Sequence, residues 1–147
     1  MKTELTKKIE MALIQATKTK KGVYGALEVT PTNTSYGAGY ERCDYVTFSS
    51  NSEITCYEIK VSMSDFKSKN KQTYLGDKNY LVVPKELVDS IKGSGLLRGG
   101  IGVISYDNYQ LKVEKRCSRK NVNISERVAL LEGIARAACR DLEKKFK

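Results

Sequence analysis

The sequence predicts an α/β protein, a mixed central sheet with helices on its faces. Three observations lead there. Apolar residues recur at helical spacing in the first and last segments. Six short runs rich in β-branched, aromatic and aliphatic residues lie between them, and short helical stretches interrupt those runs. With 147 residues the chain suits one domain with its own hydrophobic core, spanning 1–147.

Taken in order, Leu5, Ile9, Ala12, Leu13 and Ala16 mark an amphipathic helix that stops near Lys20-Lys21-Gly22. Val23 to Thr30 reads as a strand ended by Pro31, and the glycine-rich stretch from Ser35 to Tyr40 reads as a loop. Cys43 to Ser49 and Ile54 to Val61 read as an antiparallel hairpin turning at Ser50-Asn51-Ser52. A polar, lysine-rich helix is expected from Ser64, its N-cap, to about Tyr74. Tyr80 to Val83 is a continuous apolar run, the signature of a strand covered on both faces. Lys85 to Ile91 follows as a short helix, and Lys92 to Gly100 as a loop. Ile101 to Tyr106 and Leu111 to Lys115 are two further strands joined at Asp107-Asn108. Val128, Leu131, Ile134, Ala138 and Leu142 form the stripe of a final helix, with Asn123 and Glu126 spaced as a capping box.

Composition narrows the chemistry. The chain has no histidine, and its four cysteines, Cys43, Cys56, Cys117 and Cys139, form no C-x-x-C pair. That set excludes the usual zinc sites and every histidine-activated nucleophile. Without an export signal the expectation is a cytoplasmic protein with reduced, mostly buried thiols. No apolar run reaches the length of a membrane span, and no basic amphipathic helix carries bulky apolar anchors, so a membrane is not expected as a partner. Twenty-six Lys and Arg against seventeen Asp and Glu give a formal charge of +9, which points to a polyanion such as DNA.

The informative acids are those on apolar strands, where an unpaired charge is costly. Glu58 and Lys60 stand two apart in Ile54-Thr55-Cys56-Tyr57-Glu58-Ile59-Lys60-Val61, so both leave the same face of a strand. Asp44 is the acid of the preceding strand. Two carboxylates at one sheet edge suit a hard cation, Mg2+ or Mn2+, with the Ile59 carbonyl as a further ligand. Such an ion acidifies water and offsets charge on a phosphate, and Lys60 beside it would orient the water or stabilise the transition state. The carboxylate oxygens are expected within roughly 4 to 6 Å of each other, close enough to share one ion. The same acid-x-Lys pattern in Asp65-Phe66-Lys67 and Glu143-Lys144-Lys145 falls on predicted helices, where the charges are expected to face solvent.

Strand-Asp, hairpin, strand-Glu-x-Lys and then helix resembles the PD-(D/E)XK nucleases, the restriction-endonuclease-like fold. The run from Tyr57 to Lys67, followed by Asn79-Tyr80-Leu81-Val82-Val83-Pro84, is similar to small phage and bacterial members and to a DNA-repair-associated branch. The resemblance covers about residues 23 to 116. It implies a metal-dependent DNA nuclease with Asp44, Glu58 and Lys60 as catalytic residues. It also implies an added acid from the first helix or the next strand: Glu28 as a ligand of a second metal, with Glu10 as the substitute. Cys43 replaces the family's proline, and Gly76 stands where a Gln-x-x-x-Tyr pattern from Gln72 would place tyrosine. Arg42, Lys67, Lys69 and Lys71 are candidates for phosphate contacts, or else a solvated surface; Ser62 and Ser64 either donate to a phosphate or cap the helix. Cutting two strands favours a homodimer. The alternative is a non-cleaving nucleic-acid-binding or phage accessory protein that keeps the nuclease fold.

Overall fold

The amphipathic first segment becomes helix α1 (Glu4–Lys18), which starts where the Thr3 hydroxyl accepts a hydrogen bond from the Thr6 N–H at 3.1 Å. A computed structural model describes residues 2–31, 42–68 and 74–146. Ile9, Ala12 and Leu13 form the buried stripe of α1, which lies on one face of the sheet against Tyr45, Ile59, Val82 and Ile104. Burying each such aliphatic side chain contributes about 1.5–3 kcal/mol, far more than helix propensity provides.

The sheet has six strands in sequence order: β1 (Val23–Val29), β2 (Cys43–Ser49), β3 (Ile54–Ile59), β4 (Lys78–Pro84), β5 (Gly102–Asp107) and β6 (Gln110–Lys115). Pairs β1–β2, β2–β3 and β5–β6 are antiparallel, while β3–β4 and β4–β5 are parallel. The antiparallel pairs β2–β3 and β5–β6 are joined by tight turns, β1 and β2 by a longer connection, and the parallel pairs need a crossover. Asn108 and Tyr109, at φ 48° and 66°, form the two-residue turn between β5 and β6 with the hand that matches strand twist. Leu81, Val82 and Val83 of β4 are fully buried, as a strand covered on both faces requires.

The other face carries α2 (Met63–Lys67), a 3-10 turn at Lys85–Leu87 running into α3 (Val88–Gly93), and the long α4 (Ile124–Lys144). Leu130 and Ala137 of α4 pack on Val29, Val46, Ile54 and Cys56. Phe66, Val88 and Ile91 pack on Leu81, Val83 and Val103. Asn123 caps α4 as expected, accepting from the Glu126 N–H at 2.8 Å. No helix among the described residues is long and apolar enough to cross a membrane.

The sequence reading of α2 needs correction. Its N-cap is Ser62, in extended conformation with its hydroxyl accepting from the Asp65 N–H at 3.0 Å, and Ser64 lies inside the helix. The helix ends at Lys67 rather than near Tyr74, because the lysine-rich continuation has no apolar stripe to hold it on the sheet. Lys69, Lys71, Gln72 and the glycine-rich stretch from Ser35 to Tyr40 lie outside the described residues. The glycine at position 76 is required by its surroundings. A Cβ there would stand 2.8 Å from the Ile54 carbonyl oxygen and 2.9 Å from that of Lys78, so no tyrosine fits.

Candidate active site

The β2–β3 ladder ends at Tyr45↔Tyr57, one residue short of both Asp44 and Glu58. Beyond that pair the Asp44 side chain takes the place of a strand partner. Its Oδ2 accepts a hydrogen bond from the Ile59 N–H at 2.7 Å. The Glu58 carboxyl lies beside that of Asp44, within hydrogen-bonding reach. Burial pushes the Asp44 carboxyl above its usual value, and outweighs the Ile59 N–H, the Glu58 contact and the charges of Lys60 and Lys2, which act the other way.

Lys60 joins them from the same face of β3 as Glu58. The two side chains belong to residues only 8% and 5% exposed, and the Lys60 charge bears on Asp44. Beyond the end of β3, the Lys60 N–H still donates to the Val82 carbonyl at 3.1 Å, which fixes the backbone under the ammonium. Nζ lies 3.7 Å from Asp65 Oδ1, while Asp65 Oδ2 accepts from the Val61 N–H at 3.3 Å. Asp65 was expected to face solvent. The early start of α2 at Ser62 brings it back over Lys60 instead.

Glu28 sits opposite this point on β1, between the pairs Leu27↔Tyr45 and Val29↔Cys43. Its φ is 53°, an unusual left-handed conformation for a strand glutamate, and it interrupts the ladder there. Its Oε1 lies 3.2 Å from Lys2 Nζ and 3.9 Å from Arg42. Burial alone would raise the Glu28 carboxyl, but Lys2, Arg42 and Arg140 together hold it below the usual carboxylate value. Lys2 also pairs with the buried Glu10, so one ammonium ties the two added acids together. Among the described residues no three acidic or cysteine side chains gather into one ligand set. The expected third carboxylate ligand, Glu28, is therefore not brought to Asp44 and Glu58, because Lys2 and Arg42 compete for it.

Arg42 is exposed and turned to Glu28, Ser62 is spent on capping α2, and Lys67 is exposed in its last turn. The Ile59 N–H, rather than its carbonyl, makes the contact seen with Asp44. The thiols Cys43 and Cys56 are buried beside the site with their sulfurs 3.8 Å apart, and all four cysteines are free. Contact with Cys56 and burial, with Glu58 and Asp44 nearby, push the Cys43 thiol well up.

Tyr74 escaped the sequence reading, which had placed it at the end of a helix. It is 3% exposed, and its hydroxyl finds no hydrogen-bond partner among the described residues. Burial, then the Glu58 charge, push this phenol up, with Asp44 adding to the shift and Arg98 opposing it. The Arg98 guanidinium lies 5.3 Å from the Tyr74 ring centre. No local pattern marks Tyr74. A buried tyrosine with an unmatched hydroxyl beside two acids becomes visible only in three dimensions.

No family model and no curated protein matches the chain. Among solved structures, a protein of unknown function from Silicibacter pomeroyi superposes with a TM-score of 0.75 at 21% sequence identity, covering 97% of this chain and 92% of that one. At that identity the likeness shows the fold alone, a mixed six-stranded sheet flanked by helices.

Proposed function

We propose that this protein is a metal-dependent DNA nuclease of the PD-(D/E)XK type. The observation that carries the reading is the meeting of Asp44, Glu58 and Lys60 at the point where β2 and β3 part. The Asp44 and Glu58 carboxyls, in a chain without histidine, form an all-oxygen donor set. That set fits a hard divalent ion that keeps several of its waters, as Mg2+ does. Asp44 and Glu58 would hold the ion, the Ile59 carbonyl is the nearest backbone addition, and Glu28 or Glu10 would join only by releasing Lys2. When bound, the ion supplies a more acidic water and offsets charge on a scissile phosphate.

The chain's own residues supply the rest. The Ile59 N–H fixes the Asp44 carboxylate. Asp65 holds the Lys60 ammonium in place, where it faces a phosphate oxygen or the attacking water. Arg98 lies on the same side and offers a charge to the phosphate, and the Tyr74 hydroxyl, buried beside it, would add a hydrogen bond only where the site opens.

One observation favours the alternative, a non-cleaving nucleic-acid-binding protein of the same fold. Lys2 pairs with both Glu10 and Glu28, and Lys60 lies against Asp65 with its charge bearing on Asp44, so these acids have cationic partners without any ion. The deciding experiment incubates the purified chain with single-stranded, duplex, flap and junction DNA in Mg2+, Mn2+ or EDTA. Metal-dependent cutting that Glu58→Gln abolishes supports the nuclease, and a homodimer would be expected where both strands are cut. Metal-independent cutting, or none on any substrate, refutes it, and retained DNA binding in the second case leaves the alternative.

A further inference from the structure

We infer that the sheet face opposite the carboxylates carries a binding groove for single-stranded nucleic acid. Helix α1 covers only part of that face. Beyond its C-terminal half lies a groove of about 480 Å3, walled by α1, the β2–β3 turn and the β5–β6 hairpin. Strand alternation puts Tyr57 on this face and its neighbour Glu58 on the other, so the groove is separate from the acidic site.

The floor is aromatic. Tyr57 and Tyr80 are direct neighbours on β3 and β4, with ring centres 6.0 Å apart and planes within 18° of parallel. Tyr45 extends the row at 5.9 Å. Gly102 is what lays the Tyr80 ring down on the sheet, since a Cβ at that position would stand 2.4 Å from a ring carbon. The two near-parallel rings make a platform, flanked by the hydroxyl-bearing Thr47 and Thr55.

The rim is basic. Lys20 and Lys78 line the groove, and past Tyr80 it continues to Arg116 and Arg119. The acid that lines it, Glu53, is already paired with Lys78 at 3.3 Å and Arg119 at 3.4 Å. A flat aromatic floor with a cationic rim recognises a flat aromatic ligand carrying phosphates. Stacking on such a floor is worth about 1–3 kcal/mol per base and needs bases already out of a duplex. A single strand has them; a duplex keeps its bases inside.

The test reads binding in EDTA, so it does not depend on whether the protein cuts. The chain lacks tryptophan, and its tyrosines therefore report stacking directly by their emission. A labelled oligothymidylate is titrated into the wild type, the exposed-surface double variant Lys20→Glu/Arg116→Glu, and the charge-matched control Lys85→Glu/Lys92→Glu on the opposite face, with folding checked by circular dichroism. The wild type should bind with quenching of tyrosine emission, and Lys20→Glu/Arg116→Glu should bind about tenfold more weakly or worse. Lys85→Glu/Lys92→Glu should stay within about twofold of wild type, since it leaves every rim charge and stacking ring in place. No wild-type binding, binding without quenching, an unaffected Lys20→Glu/Arg116→Glu variant, or an equal loss in Lys85→Glu/Lys92→Glu would each overturn the groove.

Discussion

Lys60 is the residue whose placement separates catalysis from binding. It is buried, tied to Asp65 and set beside Asp44, so Lys60→Ala should lower turnover by about 100-fold or more, as loss of a transition-state donor does. DNA affinity should change by no more than about threefold, which single-turnover kinetics beside a binding titration would reveal. Asp44 gives a prediction of opposite sign for stability. Its folded-state value lies above the ordinary 3.8 because burial disfavours the charge. Its stabilising contribution is therefore complete below that ordinary value and is lost as pH rises through the raised one. Asp44→Asn removes this loss, and in EDTA at neutral pH should raise Tm by roughly 2–4 °C per kcal/mol recovered. A lower Tm would mean that the ion-free carboxylate stabilises the fold. Tyr74→Phe removes an unpaired buried hydroxyl, so Tm should hold or rise slightly. If that hydroxyl serves the phosphate, turnover falls about tenfold in the same variant, as loss of one hydrogen bond to a charged group would cause.

At the scale of elements, the joint between the sheet and α4 rests on an acid that shows no pattern in the sequence. Asp77 is 1% exposed and accepts the Ile54 N–H at 2.8 Å, while Arg127 meets both of its oxygens at 3.0 and 3.2 Å. Arg127 comes from the first turns of α4, so the pair pins that helix to the start of β3 and β4. Removing one partner of a buried pair strands the other, and Asp77→Ala should cost about 3–5 kcal/mol in denaturant unfolding. Burial alone would raise the Asp77 carboxyl, but Arg127 and the backbone donors hold it below 3.8. Its contribution is present above that value and lost as pH falls through the lowered one. Acid unfolding should therefore be steeper in wild type than in Asp77→Asn.

At the scale of the whole molecule, the charge of +9 is spread over both faces of the sheet. Lys60 and Arg98 lie on the carboxylate side, and Lys20 and Lys78 on the other. DNA binding should weaken steeply with salt, with a log–log slope of roughly −3 to −6 at about −0.9 per neutralised phosphate. An isotherm indifferent to salt would exclude phosphate contacts as the source of affinity.

Local pattern determined most of the elements. The hairpin from Cys43 to Ile59, the buried run of β4 and the capped α4 follow from alternation, turn residues and the Asn123–Glu126 spacing, all forces acting within a few residues. The same alternation put Glu58 and Lys60 on one face. Only the tertiary structure decided which acids meet. Asp44 reaches Glu58 because the β2–β3 ladder stops at Tyr45↔Tyr57, and Glu28 is held away because Lys2 and Arg42 lie closer to it. Asp65 is turned to Lys60 by a helix that starts early, at the Ser62 cap, and Tyr74 is buried beside the acids. Register, counter-charge and the length of a helix on its sheet are set by partners distant in sequence, so no local window of residues contains them.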